Sequence, residues 1–364
     1  MGVDFRRARL DALGRVLEAD AVDGLLVTSR ANIRYLTGFS GSSALAVATR
    51  ADLLLVTDFR YDEQARTEAA AVARVAVDGA NVWDRLFREL STLGALTQLA
   101  FEARSLTVKD AERLTDAGSA WRWKATTDVV ERLRASKDPG EVAAIKSAAA
   151  LAGEGFQRTL PQVRVGMSEL EIAGVLEGWL RRLGSEGHPF PTIVASGPRT
   201  AIPHAGSSRR TVGAGEWLLL DFGAQVDGYC ADMTRTVVVG RRASERQRAL
   251  YGLVHDAQLQ ARTGVRAGMA GKDADALARD LIESRGFGEA FGHSLGHGLG
   301  LEVHEAPRVS KTNADALPRD AVVTIEPGVY VAGEGGVRIE DDVHLSGEGP
   351  VLLTDGRTEL AELV

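Results

Sequence analysis

The sequence predicts two domains, an α/β domain over residues 1–130 followed by an α+β domain over residues 131–364. Three observations carry this. A chain of 364 residues is about two domains long. Amphipathic helix alternates with short apolar runs in the first part only. The remainder holds capped helices and two long hairpin patterns.

The first helix is read from "FRRARLDALGRVLEAD", where Phe5, Leu10, Leu13 and Leu17 recur at helical spacing. "VDGLLVTS", "SALAVAT" and "DLLLVTD" are apolar runs bounded by turn residues, as strands of a covered sheet would be. Nothing in this part gathers residues able to do chemistry. The texture changes near residue 130. "KDPGEVAAIKSAAALAGEGF" offers Asp138 as N-cap, Pro139 at the first helical position and Glu141 three after the cap. "SELEIAGVLEGWLRRLG" repeats the device with Ser168 and Glu171 and closes on Gly184. Two more helices are expected near 245–263 and 273–285.

Composition limits the partners. Hydrophobic residues make up 45% and charged residues 26%, with a net charge of −7 and no basic block. That disfavours nucleic acid and anionic membrane. The single cysteine, Cys230, rules out an internal disulfide, and no apolar run approaches the roughly 20 residues of a membrane span. A cytoplasmic protein is expected.

The stretch "EWLLLDFGAQVDGYCADMTRTVVV" is a hairpin turning on Asp227-Gly228, a favoured type I′ pair. A two-residue loop sets Val226 opposite Tyr229 and Asp232 opposite Gly223. Asp221 and Asp232 then share a face as diagonal neighbours. In "VVTIEPGVYVAGEGGVRIEDDV" a five-residue loop over 332–336 would pair Val331 with Val337. Glu326 and Glu340 would be offset in the same way, with Pro327 at an edge or bulge. Matched acid pairs on two hairpins suggest two related halves. Two unit charges 4 Å apart repel by about 4 kcal/mol at an effective dielectric near 20, so converging acids need protons or cations. A third motif, "GHSLGHGLGLEVHEAP", crowds His293, His297 and His304 among four glycines of a chain with seven histidines. Oxygen ligands with one imidazole, His297, suit two divalent ions, Mn²⁺ first and Co²⁺ or Zn²⁺ as alternatives. The hairpin argument leaves open which acid bridges them. A helical zinc motif is excluded, because no Glu follows His293 and three glycines would each cost about 1 kcal/mol in a helix.

These stretches resemble the motifs of the pita-bread metallopeptidases in their Xaa-Pro branch, aminopeptidase P and prolidase. "NIRYLTGFSG" and "LRASKDPGEVAAIKSAA" are similar to that family's N-terminal domain and domain junction. The resemblance implies a creatinase-like N-terminal domain (1–130) before a pita-bread catalytic domain (131–364). It also implies a dinuclear centre of Asp221, Asp232, His297, Glu326 and Glu340. One aspartate binds a single ion, the other bridges together with Glu340, and His297 and Glu326 complete the second site. Glu326 would accept the proton of an attacking water acidified by the paired ions. His204 and His304 would steady the developing charge or move protons, with His293 on the far side of the scissile bond. Arg338 would orient the carboxylates beside the substrate, and Arg308 matches a prolidase residue that holds a dipeptide's carboxylate. His188, His255 and His344 are read as uninvolved, and Cys230 as a small buried residue. The implied substrate is a peptide with proline second and the implied assembly a homodimer. An aminopeptidase is placed first and a strict dipeptidase second. A metal-free binding module is the remote alternative; it would show a broken ligand set.

Overall fold

The computed structural model describes residues 4–116, 120–354 and 358–364, and they fall into two compact units, 1–134 and 135–364. The first unit runs α1 (Arg6–Ala19), β1 (Gly24–Val27), α2 (Arg30–Thr37), β2 (Ala44–Thr49), β3 (Leu53–Asp58) and α3 (Asp62–Glu68). It continues with β4 (Arg74–Asp78), α4 (Val82–Leu90), β5 (Gln98–Glu102), α5 (Val108–Asp116), β6 (Arg122–Thr126) and α6 (Val129–Arg134). The expected helix and the three apolar strands are all present. The sheet has the order β4-β3-β2-β1-β5-β6, antiparallel only about β2. β1 is buried along its whole length, and β3 everywhere but its last residue. Strands covered on both faces have no reason to alternate, which is why they read as unbroken apolar runs.

The second unit opens with α7 (Pro139–Thr159), α8 (Glu169–Leu183), β7 (Ile193–Ser196), β8 (Glu216–Phe222), β9 (Gln225–Val226), β10 (Tyr229–Cys230) and β11 (Met233–Val239). There follow α9 (Glu245–Gly264), α10 (Gly271–Ser284), β12 (Gly296–Gly298), β13 (Glu305–Val309), β14 (Val322–Ile325), β15 (Gly328–Val331), β16 (Gly335–Arg338), β17 (Asp341–Ser346), β18 (Gly349–Leu352) and β19 (Glu362–Leu363). Capping boxes form at Asp138/Glu141 and Ser168/Glu171, and Gly184 ends α8 in the left-handed region. Ser244 and Gln247 cap α9 in the same way. Each cap satisfies helix N–H groups that would otherwise lack partners.

The element order repeats within this unit. Two helices lead into three antiparallel strands, β7-β8-β11 and then β12-β14-β17, and a small two-stranded hairpin interrupts the second and third strands each time. α7 and α8 bury Ala148, Ile172 and Leu176 with Leu218 and Leu220 of the first sheet. α9 and α10 bury Val254, Ala278 and Ile282 with Val323 and Ile325 of the second.

The first hairpin has the expected register. Val226 pairs with Tyr229, and β8 and β11 continue in step from Phe222–Met233 to Glu216–Val239. Both turn residues have positive φ, 50° at Asp227 and 76° at Gly228, as a type I′ turn requires. The second hairpin corrects the sequence reading. Its loop is three residues, 332–334, so Val331 pairs with Gly335 and Val329 with Val337. Gly333, with φ of 83°, makes the tighter loop possible. The β14-β17 ladder keeps this register, Ile325 facing Asp341, which sets Glu326 directly opposite Glu340 rather than diagonal to it. The shift is of two residues, and side chains alternate with period two, so both acids keep the expected face. Pro327 lies in the break between the two ladders, where no N–H is needed.

Candidate metal centre

The four acids sit where the two long hairpins are interrupted: Asp221 near the end of β8, Asp232 before β11, Glu326 after β14 and Glu340 before β17. Asp232, His297 and Glu340 each offer a ligand atom, all within 4.8 Å of one another. Glu326 Oε1 is 3.4 Å from His297 Nε2, and Asp232 Oδ2 is 3.9 Å from it. Asp221 differs from the others, because its Oδ2 accepts a 2.5 Å bond from Arg338 Nη2. The charge of Asp221, which follows three leucines in β8 and is half-buried, is thus compensated by a guanidinium.

The hairpins are tied to each other around these acids. Thr234 Oγ1 donates to Glu340 Oε2 at 2.6 Å, Asp342 Oδ2 accepts from the Asp232 N–H at 3.1 Å, and Glu340 N–H bonds Thr234 O. Thr324 Oγ1 holds Glu326 Oε1 at 3.2 Å and accepts from the His297 N–H at 3.1 Å. Behind Glu340, Arg235 donates to its carbonyl at 2.6 Å and to the buried Asp341 at 2.7 Å.

Electrostatics give the cluster its character. Burial, then repulsion from Glu340 and Asp221, raises the Asp232 carboxyl well above the usual carboxylate range. Burial, then Glu326 and Asp221, does the same to Glu340. Glu326 is pushed up to about 8 by burial, with Arg338 opposing. So many acids this close call for positive charge. Asp232 Oδ1 is buried and has no hydrogen-bond partner, an unsatisfied acceptor where a cation would complete it. His297 Nδ1 lies 3.1 Å from the Gly298 carbonyl, which can only accept, so the proton is on Nδ1 and the Nε2 lone pair faces Asp232 and Glu326. Burial and His304 lower this ring to about 4, which keeps it neutral. That tautomer is the one that ligates metal. The residues therefore fit divalent ions.

The other histidines form the border. His304 stacks edge-on against His297, centroids 4.3 Å apart. His204 is exposed, and a proton on it would repel one on either His293 or His304. Arg308 is the cross-strand partner of His297; among the described residues its side chain has no hydrogen bond or ion pair. His293 Nδ1 donates to Ser294 O at 2.8 Å, so its Nε2 accepts from the Tyr330 hydroxyl at 2.9 Å. Tyr330 in turn accepts from Arg338 Nη1 at 2.7 Å. One chain of bonds thus runs from Asp221 through Arg338 and Tyr330 to His293. His188 is exposed, His255 lies on α9 beside Thr358, and His344 pairs with Asp320. Cys230 is buried.

Sequence reasoning missed Tyr330, Thr234, Thr324 and Asp342. Tyr330 lies in the quoted "TIEPGVY" stretch, and a tyrosine four residues after a ligand in an alternating strand was the one available signal.

Comparison with known proteins gives the chain its relatives. Residues 143–346 match metallopeptidase family M24, and residues 9–136 match the Creatinase/Prolidase N-terminal domain. A Xaa-Pro dipeptidase from Pyrococcus furiosus is 33% identical over 337 residues, covering 91% of this chain and 93% of that one. The structure of a Xaa-Pro dipeptidase from Bacillus anthracis aligns with a TM-score of 0.94 at 36% identity, over 98% of this chain and all of the other. An X-Pro aminopeptidase from Thermotoga maritima aligns at 0.90, also at 36% identity, over 97% and 99%.

Proposed function

The chain belongs to metallopeptidase family M24, and from that premise we propose that it hydrolyses the bond between an N-terminal residue and a following proline, with the dipeptide as preferred substrate. The observation that carries the hydrolytic reading is the buried Asp232–His297–Glu340 cluster with its unsatisfied Asp232 oxygen. Asp221, Asp232, His297, Glu326 and Glu340 would hold two divalent ions, Mn²⁺ before Co²⁺ or Zn²⁺. Such ions make a water acidic enough to attack near neutral pH and polarise the carbonyl it attacks.

The remaining work belongs to the side chains. Glu326, whose carboxylate faces His297, takes the proton from the attacking water and returns it to the leaving nitrogen. His304, packed on His297, and His204 beside it steady the oxygen that gains charge. Arg338 and Tyr330 hold Asp221 and His293 in place, so neither reorients during the reaction. Arg308, on the strand paired with His297, pairs with the free carboxylate of a dipeptide.

The sequence alone placed the aminopeptidase first. We reverse that order because Arg308, opposite His297, has no side-chain hydrogen bond or ion pair among the described residues and the Pyrococcus and Bacillus relatives are named dipeptidases. The Thermotoga relative keeps the aminopeptidase as the second reading. Purified protein with Mn²⁺ is given Ala-Pro and Ala-Pro-Ala. The proposal expects kcat/KM at least about tenfold higher for Ala-Pro, and Arg308→Ala to raise KM for Ala-Pro about tenfold through loss of a charge-assisted bond. Faster cleavage of the tripeptide would favour the aminopeptidase, and cleavage of neither would refute both.

A further inference from the structure

We propose that Glu169 is a positioning residue for this reaction: its buried carboxylate ties together both ends of the 196–208 loop and thereby sets where His204 stands. The inference rests on the reading of His204 as a substrate-side group. Glu169 is the first residue of α8, and its side chain is fully buried. Its Oε1 accepts from the Ser196 N–H at 2.8 Å and Ser196 Oγ at 2.9 Å. Its Oε2 accepts from the Ser208 N–H at 3.0 Å and Ser208 Oγ at 2.6 Å. Arg199 Nε, inside the loop, lies 3.2 Å from both oxygens. Five donors from three loop residues thus converge on one carboxylate, close to the acceptor capacity of that group.

Helix capping does not explain this arrangement. α8 already has a complete capping box, in which Ser168 Oγ accepts from Glu171 N–H and the Glu171 carboxylate accepts from Ser168 N–H. Nor is the carboxylate serving its own helix, because among the described residues every bond it accepts comes from the loop. The loop is of the length at which close ends and internal bonds give a defined shape. Arg199 Nη2 braces its far side by donating to Gly206 O at 2.6 Å. Its middle rests on the second hairpin: Gly336 N–H donates to Thr200 Oγ1 at 2.7 Å, and Arg338 Nη1 lies 3.3 Å from Pro203 O. His204 follows Pro203. Its side chain is exposed, so its position is set by the backbone that carries it rather than by packing of its own ring. Glu169 holds that backbone from one side, and the hairpin that fixes Asp221 holds it from the other.

Glu169→Gln keeps the shape but turns one acceptor into a donor facing other donors, and it removes the counter-charge of Arg199. The test is a double-mutant cycle with His204→Ala on the Mn²⁺-loaded protein, together with amide hydrogen exchange. Expected are wild-type metal content, at least tenfold faster exchange across 196–208 with the rest of α8 unchanged, and a ten- to hundredfold loss of kcat/KM. In the His204→Ala background Glu169→Gln then costs less than twofold, since the residue it places is gone. An equal loss in both backgrounds overturns the proposal, as does unchanged loop exchange. Ser208→Ala, which removes one hydroxyl donor and leaves the carboxylate, is run alongside and gives the same pattern with smaller amplitude if Glu169→Gln fails to fold. A wild-type protein that cleaves no Xaa-Pro peptide refutes the functional reading, and loop exchange then decides the clamp by itself.

Discussion

His297 and His293 have the same local device and opposite uses. Each gives its Nδ1 proton to a nearby backbone carbonyl, Gly298 in one case and Ser294 in the other. His297 turns a bare Nε2 toward carboxylates, whereas His293 turns one toward a hydroxyl. Only the first arrangement invites a cation. Cys230 shows the contrary effect of burial: with acids nearby, its thiol is pushed up to about 12. A thiol with that pKa has about a thousandfold less thiolate at pH 8 than an ordinary one. Iodoacetamide at pH 8 is therefore expected to label Cys230 about a thousandfold more slowly in the folded protein than in urea, and equal rates would contradict the burial. At this scale the acids were legible, because an aspartate inside "LLLDFG" demands compensation. Of their partners Arg338 was legible too, two residues before Glu340 on the same strand face, but the threonines were not: Thr234 bonds Glu340 across 106 positions, a separation over which no spacing rule operates.

The two long hairpins differ in how much of them could be read. Asp227-Gly228 permits one turn type, and that turn fixes every pair in the first hairpin. "VAGEGGV" allows several loop lengths, so the second register had to come from the fold; Gly333 decided it. Parity rescued the functional inference, since a slip of one residue would have turned Glu326 and Glu340 to opposite faces. β12 is constrained in another way. A Cβ on Gly296 would meet the Thr324 carbonyl at 1.9 Å, so glycine lets this strand lie close enough for His297 to reach the acids. Gly296→Ala is expected to lower Mn²⁺ affinity at least about tenfold, as loss of ligand support generally does. Gly286→Ala, at φ of 81° with open space where its Cβ would go, meets only the positive-φ penalty, about 1 kcal/mol of stability, and leaves affinity unchanged. Calorimetric titration and urea unfolding of both variants check this. Similar behaviour of the two would contradict it.

In the catalytic unit as a whole, a repeated order of two helices and three strands brings two interrupted hairpins together, and the interruptions carry the acids. Matched acid pairs in the sequence hinted at that repetition, while the meeting itself depends on tertiary bonds such as Thr236 to Arg338. Concentrating carboxylates this way opposes folding whenever they are ionised and uncompensated. Asp232, Glu326 and Glu340 have folded pKa values above their unfolded ones. Each therefore stabilises the metal-free protein fully below the unfolded value, near 4, and withdraws that stability as pH rises through the folded value, about 8 for Glu326. The melting temperature of EDTA-treated protein should fall from pH 5 to pH 9, and saturating Mn²⁺ should abolish the fall. A pH-independent melting temperature without metal would argue against a converged acid cluster. The most direct measurement is metal content after equilibrium dialysis against Mn²⁺, wild type beside Asp232→Asn. Two ions per chain in the wild type, with loss of binding and of Xaa-Pro hydrolysis in the variant, is the predicted result. No bound ion in the wild type, or full content and activity in the variant, would contradict the centre on which the account depends.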